Sequence, residues 1–377
     1  MERPDVLERS ELFGVYGGLM SGHFLGGDYL RAARIAGNEH SYWMCHTGAR
    51  NIRKPAGTPG TLTGKILSFR RLVPGQPFLV YKPVGEMPEE QASSLGFQET
   101  PLVIPGGHDT CLSHIPIMST YYQAFRDRAG TPVIHVEAGS WTLIAQIGGK
   151  VDIPPDACER DILVQGTVDG QPVVTARYGG GHDFKYVKEL FAARGIRFGA
   201  DCNESLLVEV LKDSDCFLLP NINSVNRLSG PYPHLSGKIL NEDAFFGSTE
   251  KAFVVTNLTT AIVTSVQVDA IGKNGSIPLV LTAGGSRDPY FGRLLATVTG
   301  RDVYGMYDFE GNAVSETTSL GAAIAGKAAC LKVHPYTVDV SGLGVSYRKL
   351  RPFGDDISRL LDGYRERLLA EIERAPA

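Results

Sequence analysis

The side chains whose types and spacing can do chemistry gather in four glycine-centred segments. In Gly106-Gly107-His108-Asp109-Thr110, two glycines follow the apolar Val103 and Ile104. Glycines there let a backbone turn sharply and approach a ligand closely, and they set a carboxylate at a strand end, where α/β folds commonly bind. Asp109 in that place can take a proton from a hydroxyl nucleophile; it can equally cap a helix that starts at Thr110. His108 beside it invites a metal reading, but the multi-histidine spacing of metallohydrolases is missing, and no metal ligand is assigned. Gly139-Ser140-Trp141, between Ala138 and Thr142, reads as a tight turn between strands. Its backbone N–H groups, with the Ser140 and Thr142 hydroxyls, can hold phosphate oxygens, or the turn is an ordinary hairpin. Gly284-Gly285-Ser286 stands between an apolar run and a helix, a geometry that offers an anion or nucleotide site at a helix N-terminus. It has neither the G-x-G-x-x-G nor the G-x-x-x-x-G-K-[ST] pattern. Tyr178-Gly179-Gly180-Gly181-His182-Asp183 either lines a cleft or joins a hairpin to the next helix. No cysteine or serine is paired with a clearly placed base.

These segments need elements to position them. Val103 and Ile104 predict the end of a buried strand. From residue 131 the pattern predicts consecutive strands, 132–138 and 141–147, then 162–168 and 171–178 joined at Asp169-Gly170, a strong hairpin signal. Asp183 is a candidate cap for a helix carrying Phe184, Val187, Leu190 and Phe191 and ending near Gly195. Further helices are expected at 204–211 and, long and buried, at 248–271. A short buried strand at 277–283 leads to the Gly284 turn. Asp288 is the expected N-cap of a helix opening at Pro289 and closed by Gly300. A strand follows at 303–306, and a helix at 319–332 is expected to pack through Gly321, Ala322, Ala325, Gly326 and Ala329. The tail carries Ile357, Leu360, Leu361, Tyr364, Leu368 and Ile372 at helical spacing. Nearer the N-terminus a helix is expected around residues 29–35, followed by a loop at 55–60. Hairpins followed by strand–helix alternation predict an α/β domain at 119–377, preceded by a smaller piece at 1–118.

Composition limits the classes. At 377 residues the chain is too long for one ordinary domain and comfortable for two. Its 37 Lys+Arg against 41 Asp+Glu leave a net charge of −4, which argues against a dedicated nucleic-acid binder. A hydrophobic fraction of 43% with 21% charged residues supports a sizeable core rather than disorder. Six cysteines without C-x-x-C spacing fit a reducing compartment better than a disulfide framework or a zinc module. The most apolar stretch, 252–271, holds Asn257, Gln267 and Asp269, so no membrane span is expected. The N-terminus, MERPDVLERSE, is charged and reads as no signal peptide; cytoplasmic residence is the expectation.

Each segment alone is ambiguous, but their order is distinctive. Gly-Gly-His-Asp-Thr is followed by Gly-Ser-Trp, then by Gly-Gly-Ser-Arg-Asp before a helix, then by Glu316-Thr317-Thr318-Ser319-Leu320-Gly321-Ala322-Ala323-Ile324. This order resembles the FGGY carbohydrate kinases, most closely the rhamnulokinase and fuculokinase branch, whose members carry similar His-Asp-Thr and Gly-Thr-Trp segments. The similarity runs from about residue 40 to the C-terminus and is strongest at 103–145 and 278–326. It implies an actin-like (ribonuclease H-like), two-domain α/β fold, with residues 1–118 as the remnant of the sugar-binding domain and 119–377 as the nucleotide-binding domain. It implies Mg²⁺-dependent transfer of the ATP γ-phosphoryl group to a hydroxyl of a sugar or polyol. Residue by residue, Asp109 matches the catalytic base, and His108 and Gly107 lie where the sugar binds. Gly139, Ser140 and Trp141 match a phosphate loop. Gly284, Gly285, Ser286 and Asp288 match the adenosine segment, where the family usually has Asn at the position of Asp288. The expected cofactors are ATP and Mg²⁺. The expected partner is a small sugar or polyol, with no nucleic acid and no membrane; a homodimer is compatible with this. One departure stands out: the family's opening Asp-x-Gly-Thr-Thr turn, which contacts ATP phosphates and metal, does not occur in this sequence. The first domain is therefore expected to be incomplete. The alternative to a kinase is a catalytically impaired nucleotide- or sugar-binding remnant.

Overall fold

The computed structural model describes residues 23–24 and 79–375, apart from 129, 151, 158, 169–170, 200–202, 213–214, 225–228, 234 and 274. The helix expected at 29–35, the loop at 55–60 and the Asp169-Gly170 turn lie outside the described residues. In chain order the elements are β1 (Gly85–Glu86), α1 (Glu89–Ser94), β2 (Leu102–Val103), α2 (Asp109–Ala124), β3 (Val133–Ala138), β4 (Thr142–Ile147), β5 (Ile162–Gly166) and β6 (Pro172–Tyr178). They continue with α3 (Gly180–Ala192), α4 (Glu204–Lys212), β7 (Phe217–Leu218), β8 (Ile239–Leu240), α5 (Glu242–Gly247), α6 (Thr249–Ile271), β9 (Leu279–Thr282), α7 (Pro289–Thr299), β10 (Val303–Tyr307), α8 (Thr317–Leu331), β11 (Ser346–Leu350) and α9 (Asp355–Arg374). They fall into two compact units: Met1–Ala129, Leu163–Val173 and Glu316–Gly342 form the first; Gly130–Ile162, Val174–Ser315 and Leu343–Ala377 form the second.

In the first unit, β1 and β2 make a small antiparallel ribbon. The sequence predicts a buried strand at Val103 and Ile104; β2 is two residues long, and its Leu102 is exposed. Its main packing is helix on helix. α2 supplies Ile115, and α8 supplies Ile324, Ala325 and Ala328, to a core that includes Tyr81, Val168 and Val338. The approach is backbone-close: a Cβ on Gly321 would sit 1.9 Å from the Leu112 carbonyl oxygen. Only part of the expected small-residue stripe makes this contact. Gly321, Ala325 and Ala329 are buried, whereas Ala322 is exposed and a Cβ on Gly326 would meet open space. The helical turn of about 100° per residue carries those two positions off the buried face.

The second unit is built on a mixed sheet of order β11-β10-β9-β3-β4-β6 among the described residues. β10, β9 and β3 are parallel neighbours, while β11, β4 and β6 pair antiparallel to theirs. β3, β4 and β9 are buried or half-buried on both faces, as strands covered on two sides are. Val136, Ile144, Leu279 and Leu281 join residues of α6, α7 and α9 in one core. Helix α9 contributes Ile357, Leu361, Tyr364, Leu368 and Ile372, five of the six residues its spacing singles out, while Leu360 is half-buried. Helix α6 is long and apolar enough by length and composition to cross a membrane, contrary to expectation, but it is mostly buried within the fold. Several of its polar residues are satisfied internally. Thr256 and Thr264 turn their hydroxyls back onto the carbonyls of Ala252 and Thr260, both at 2.7 Å, and the Gln267 amide donates to the carbonyls of Arg160 and Arg177. Helix α7 starts as expected, with Asp288 as N-cap accepting from the Tyr290 N–H at 2.9 Å, and Gly300 closes it at φ +63°.

Candidate functional site

Asp109 lies in the first unit as the first residue of α2. The helix begins one residue earlier than expected: His108, not Asp109, holds the N-cap position. The Asp109 side chain is 72% exposed and is not driven into the interior. Its Oδ1 accepts from the Thr110 N–H at 2.7 Å and the Thr110 hydroxyl at 3.3 Å. His108 Nδ1 stands 2.9 Å from Asp109 Oδ1 and 3.3 Å from the Thr110 nitrogen. A single ring nitrogen cannot donate to the first and accept from the second at once. Because the Thr110 N–H is already served by Asp109 at the shorter distance, we assign the Nδ1 proton to the His108–Asp109 bond. That bond, more than any other contact, holds the Asp109 carboxyl down at about 2, against the opposing effect of burial. Gly107 is half-buried just ahead of this pair.

The other candidates lie in the second unit, where a pocket of about 430 Å³ opens. That volume is within the range of small-molecule sites, roughly 300–1,000 Å³. One wall is the β3–β4 turn, with Ala138, Gly139, Ser140 and Thr142. A second is the start of α3, with Gly180, Gly181, Phe184 and Lys185; a third is Asn257 and Thr260 of α6. The last is the turn after β9 and the start of α7, with Gly284, Gly285, Asp288 and Phe291. Trp141 and Ser286 are not on these walls. The Trp141 ring lies under the Arg177 guanidinium at 5.3 Å and edge-on to His182 at 5.0 Å, and the buried Ser286 hydroxyl donates to the Ala283 carbonyl at 2.7 Å.

Glycine is required where these walls meet. A Cβ on Gly181 would lie 2.1 Å from the Gly139 carbonyl oxygen, and one on Gly180 would lie 3.0 Å from both Thr142 Oγ1 and Thr260 Cγ2. A Cβ on Gly285 would lie 2.6 Å from the Ala138 Cβ. The His182 N–H donates to the Ser140 carbonyl at 3.1 Å, tying the first turn of α3 to the hairpin. The glycine run after Tyr178 therefore starts a helix against a turn rather than forming a flexible link. Asp183 is not the helix cap it resembles in sequence, since Gly179 takes that place. Buried inside the first turn, Asp183 accepts from the Tyr178 hydroxyl at 3.1 Å and from the N–H groups of Asn221 at 2.8 Å and Asn223 at 3.0 Å. Burial, then the neighbouring Asp183 charge, hold the Tyr178 hydroxyl well above its ordinary range.

The donors of the pocket suit an anion: glycine backbone at a turn and at the first turn of α3, hydroxyls at Ser140 and Thr142, and the Lys185 ammonium. Phe184 and Phe291 supply flat apolar surface. Two acceptors complete it. The Asn257 amide nitrogen is bonded to the Phe253 carbonyl at 3.0 Å, which fixes its amide orientation and frees its oxygen for the pocket. Asp288 is drawn upward by burial, against the N–H groups of Tyr290 and Phe291. Among the described residues no group of three or more His, Cys, Asp or Glu side chains is placed to hold a metal ion.

A mixed sheet whose parallel strands hand glycine turns to one pocket defines an α/β ligand-binding domain of the actin-like class. A model of the carbohydrate kinase FGGY C-terminal domain matches residues 130–332, more than half of the sequence, and the chain belongs to this family. Among solved structures it is similar in fold to a carbohydrate kinase from Novosphingobium aromaticivorans, with TM-score 0.56, 20% identity and coverage of 84% of this chain and 60% of that one. A xylulose kinase from Rhodospirillum rubrum gives TM-score 0.53 and 16% identity over 79% of this chain and 56% of that one. The glycerol kinase of Plasmodium falciparum, solved with ADP, gives TM-score 0.54 and 15% identity over 83% and 58%. The chain thus spans less than two thirds of the length of these three structures. No curated protein matches the sequence.

Proposed function

We propose that this protein is an ATP-dependent kinase of a sugar or polyol hydroxyl. The glycine-walled pocket of the second unit carries the reading: it joins anion-holding donors to apolar surface and two acceptors, as a nucleoside polyphosphate requires. ATP supplies the transferable phosphoryl group, and Mg²⁺ accompanies its phosphates rather than a cage of protein ligands. Ser140, Gly139 and the first turn of α3 hold phosphate oxygens; Gly284, Gly285 and Asp288 hold the nucleoside. Phosphoryl transfer asks for alignment and charge neutralisation more than covalent chemistry, which suits such a backbone cradle. Asp109 takes the proton of the acceptor hydroxyl. Its hydrogen bonds from His108 and Thr110 all fall on Oδ1, leaving Oδ2 for the substrate, and His108 and Gly107 sit beside that hydroxyl. The His-Asp-Thr and Gly-Ser-Trp segments support the rhamnulokinase and fuculokinase branch of the family, and the sugar is left to assay.

Calorimetric titration with ATP and Mg²⁺, with a coupled ADP-release assay over pentoses, deoxyhexoses and polyols, tests this. Turnover on one sugar is expected, and Asp109→Ala should lower it about 10²- to 10⁴-fold while leaving ATP affinity unchanged. Failure to bind ATP would refute the proposal. Binding without turnover would instead support the non-catalytic reading.

A further inference from the structure

Two of the turns on the pocket wall are delivered by neighbouring strands. β3 ends one residue before Gly139, and β9 ends two residues before Gly284. These strands are parallel, with Glu137 opposite Thr282 and His135 opposite Val280. His135 therefore reaches diagonally across the pair, and its Nε2 lies 2.7 Å from Thr282 Oγ1, with both residues fully buried. The next residue, Ala283, has φ +61°, the left-handed region that a residue with a Cβ enters only when its surroundings impose it. Two bonds bracket it: the His135–Thr282 contact on one side, and the Ser286 hydroxyl on the Ala283 carbonyl on the other.

We propose that His135 is a positioning residue: acting through the Thr282 hydroxyl, it fixes the Ala283 turn so that Gly284 and Gly285 meet the same ligand as the Gly139–Ser140 turn. The inference rests on the nucleotide reading of the pocket. A hydrogen bond that served the core alone would affect folding and leave affinity untouched. Burial keeps the imidazole neutral, so the bond is permanent at ordinary pH rather than gated.

Thr282→Val removes the hydroxyl and keeps the β-branched shape; Thr282→Ser restores it. ATP–Mg²⁺ is titrated calorimetrically into the wild-type protein and both variants, with melting temperatures recorded in parallel. The expected result is roughly a 3- to 10-fold weaker ATP affinity in Thr282→Val, the value of one hydrogen bond, and near-wild-type affinity in Thr282→Ser. Equal affinity in Thr282→Val and wild type overturns the inference, whatever the melting temperatures, and leaves the nucleotide site standing. A wild-type protein that binds no ATP removes the nucleotide reading and the inference together. Should Thr282→Val not fold, His135→Gln against wild type is judged by the same affinity criterion.

Discussion

His135 gives a stability prediction whose size follows from its surroundings. The ring is fully enclosed between β3 and β9, and burial pushes its pKa from 6.5 down to about 3. In the unfolded chain the imidazole titrates at its ordinary value, so below pH 6.5 the unfolded state binds a proton that the native state refuses. Above pH 6.5 both states are neutral and the residue makes stability independent of pH. As pH falls through 6.5 toward 3, stability is lost at about 1.4 kcal/mol per pH unit. Between pH 7.5 and pH 5 the loss is about 2 kcal/mol, and it changes little as long as the native pKa lies well below 5. His135→Gln removes the titration, and comparing slopes rather than absolute stabilities cancels the cost of the substitution itself. Urea unfolding at the two pH values, followed by Trp141 fluorescence in a Trp43→Phe background, reads the second unit. Wild type should lose about 2 kcal/mol more than the variant over that interval. Identical losses would show that the native ring accepts a proton near its ordinary value, which full burial beside Thr282 forbids.

The remaining predictions concern close approaches and the Asp109 charge. Gly181→Ala must push the start of α3 off the Gly139 carbonyl, because the added methyl would lie 2.1 Å from that oxygen; ATP affinity measured by calorimetry should fall by at least about 10-fold, the loss of two or more cradle hydrogen bonds. Gly321→Ala should destabilise the first unit by about 1–3 kcal/mol through overpacking against Leu112, whereas Gly326→Ala, facing open space, should stabilise it by about 0.5–1 kcal/mol; thermal melts of the pair separate the two effects. Since the Asp109 carboxyl is held at about 2, it stays ionised throughout pH 5–8, and kcat/KM should show no acidic limb from it there; a limb near pH 5 that shifts in His108→Ala would show that the carboxyl titrates in that range and refute the low value.

Much of the fold can be read from short-range chemistry. Asp288, Pro289 and Gly300 bracket α7 because cap, first-turn proline and left-handed glycine are local requirements. The apolar spacing of α9 is likewise local. Where local signals compete, the three-dimensional context decides. An aspartate after a glycine run looks like a cap, yet Asp183 sits inside the helix because the glycines themselves are needed in the first turn, pressed against Gly139 and Thr142. Gly139, Ser140, Gly284, Gly285 and Asp288 do reach one pocket, while Trp141 and Ser286 turn away from it. Gly180 and Gly181 line the pocket, one of the two readings the glycine run leaves open in sequence, whereas Asn257 and Thr260 were the hidden part of its wall. Asn257 and Thr260 are polar residues three apart in a threonine-rich helix, a signal visible in sequence but indistinguishable there from buried residues bonded back to their own helix. The His135–Thr282 pair depends on strand register, and Thr282 is 147 residues away in sequence.

The interleaving of the two units bears on synthesis. Helix α2 leaves the ribosome complete at Ala124, but the helix against which it packs starts only at Thr317. At about 5–20 residues per second, the nascent chain keeps the α2 face without its partner for roughly 10–40 s. During that time the second unit is emerging and can condense around its own sheet. The first unit thus waits until α8 emerges late in translation, before Leu343–Ala377 brings β11 and α9 to the second unit, and a nascent-chain binder occupying α2 in the interval would act before Gly321 ever meets Leu112.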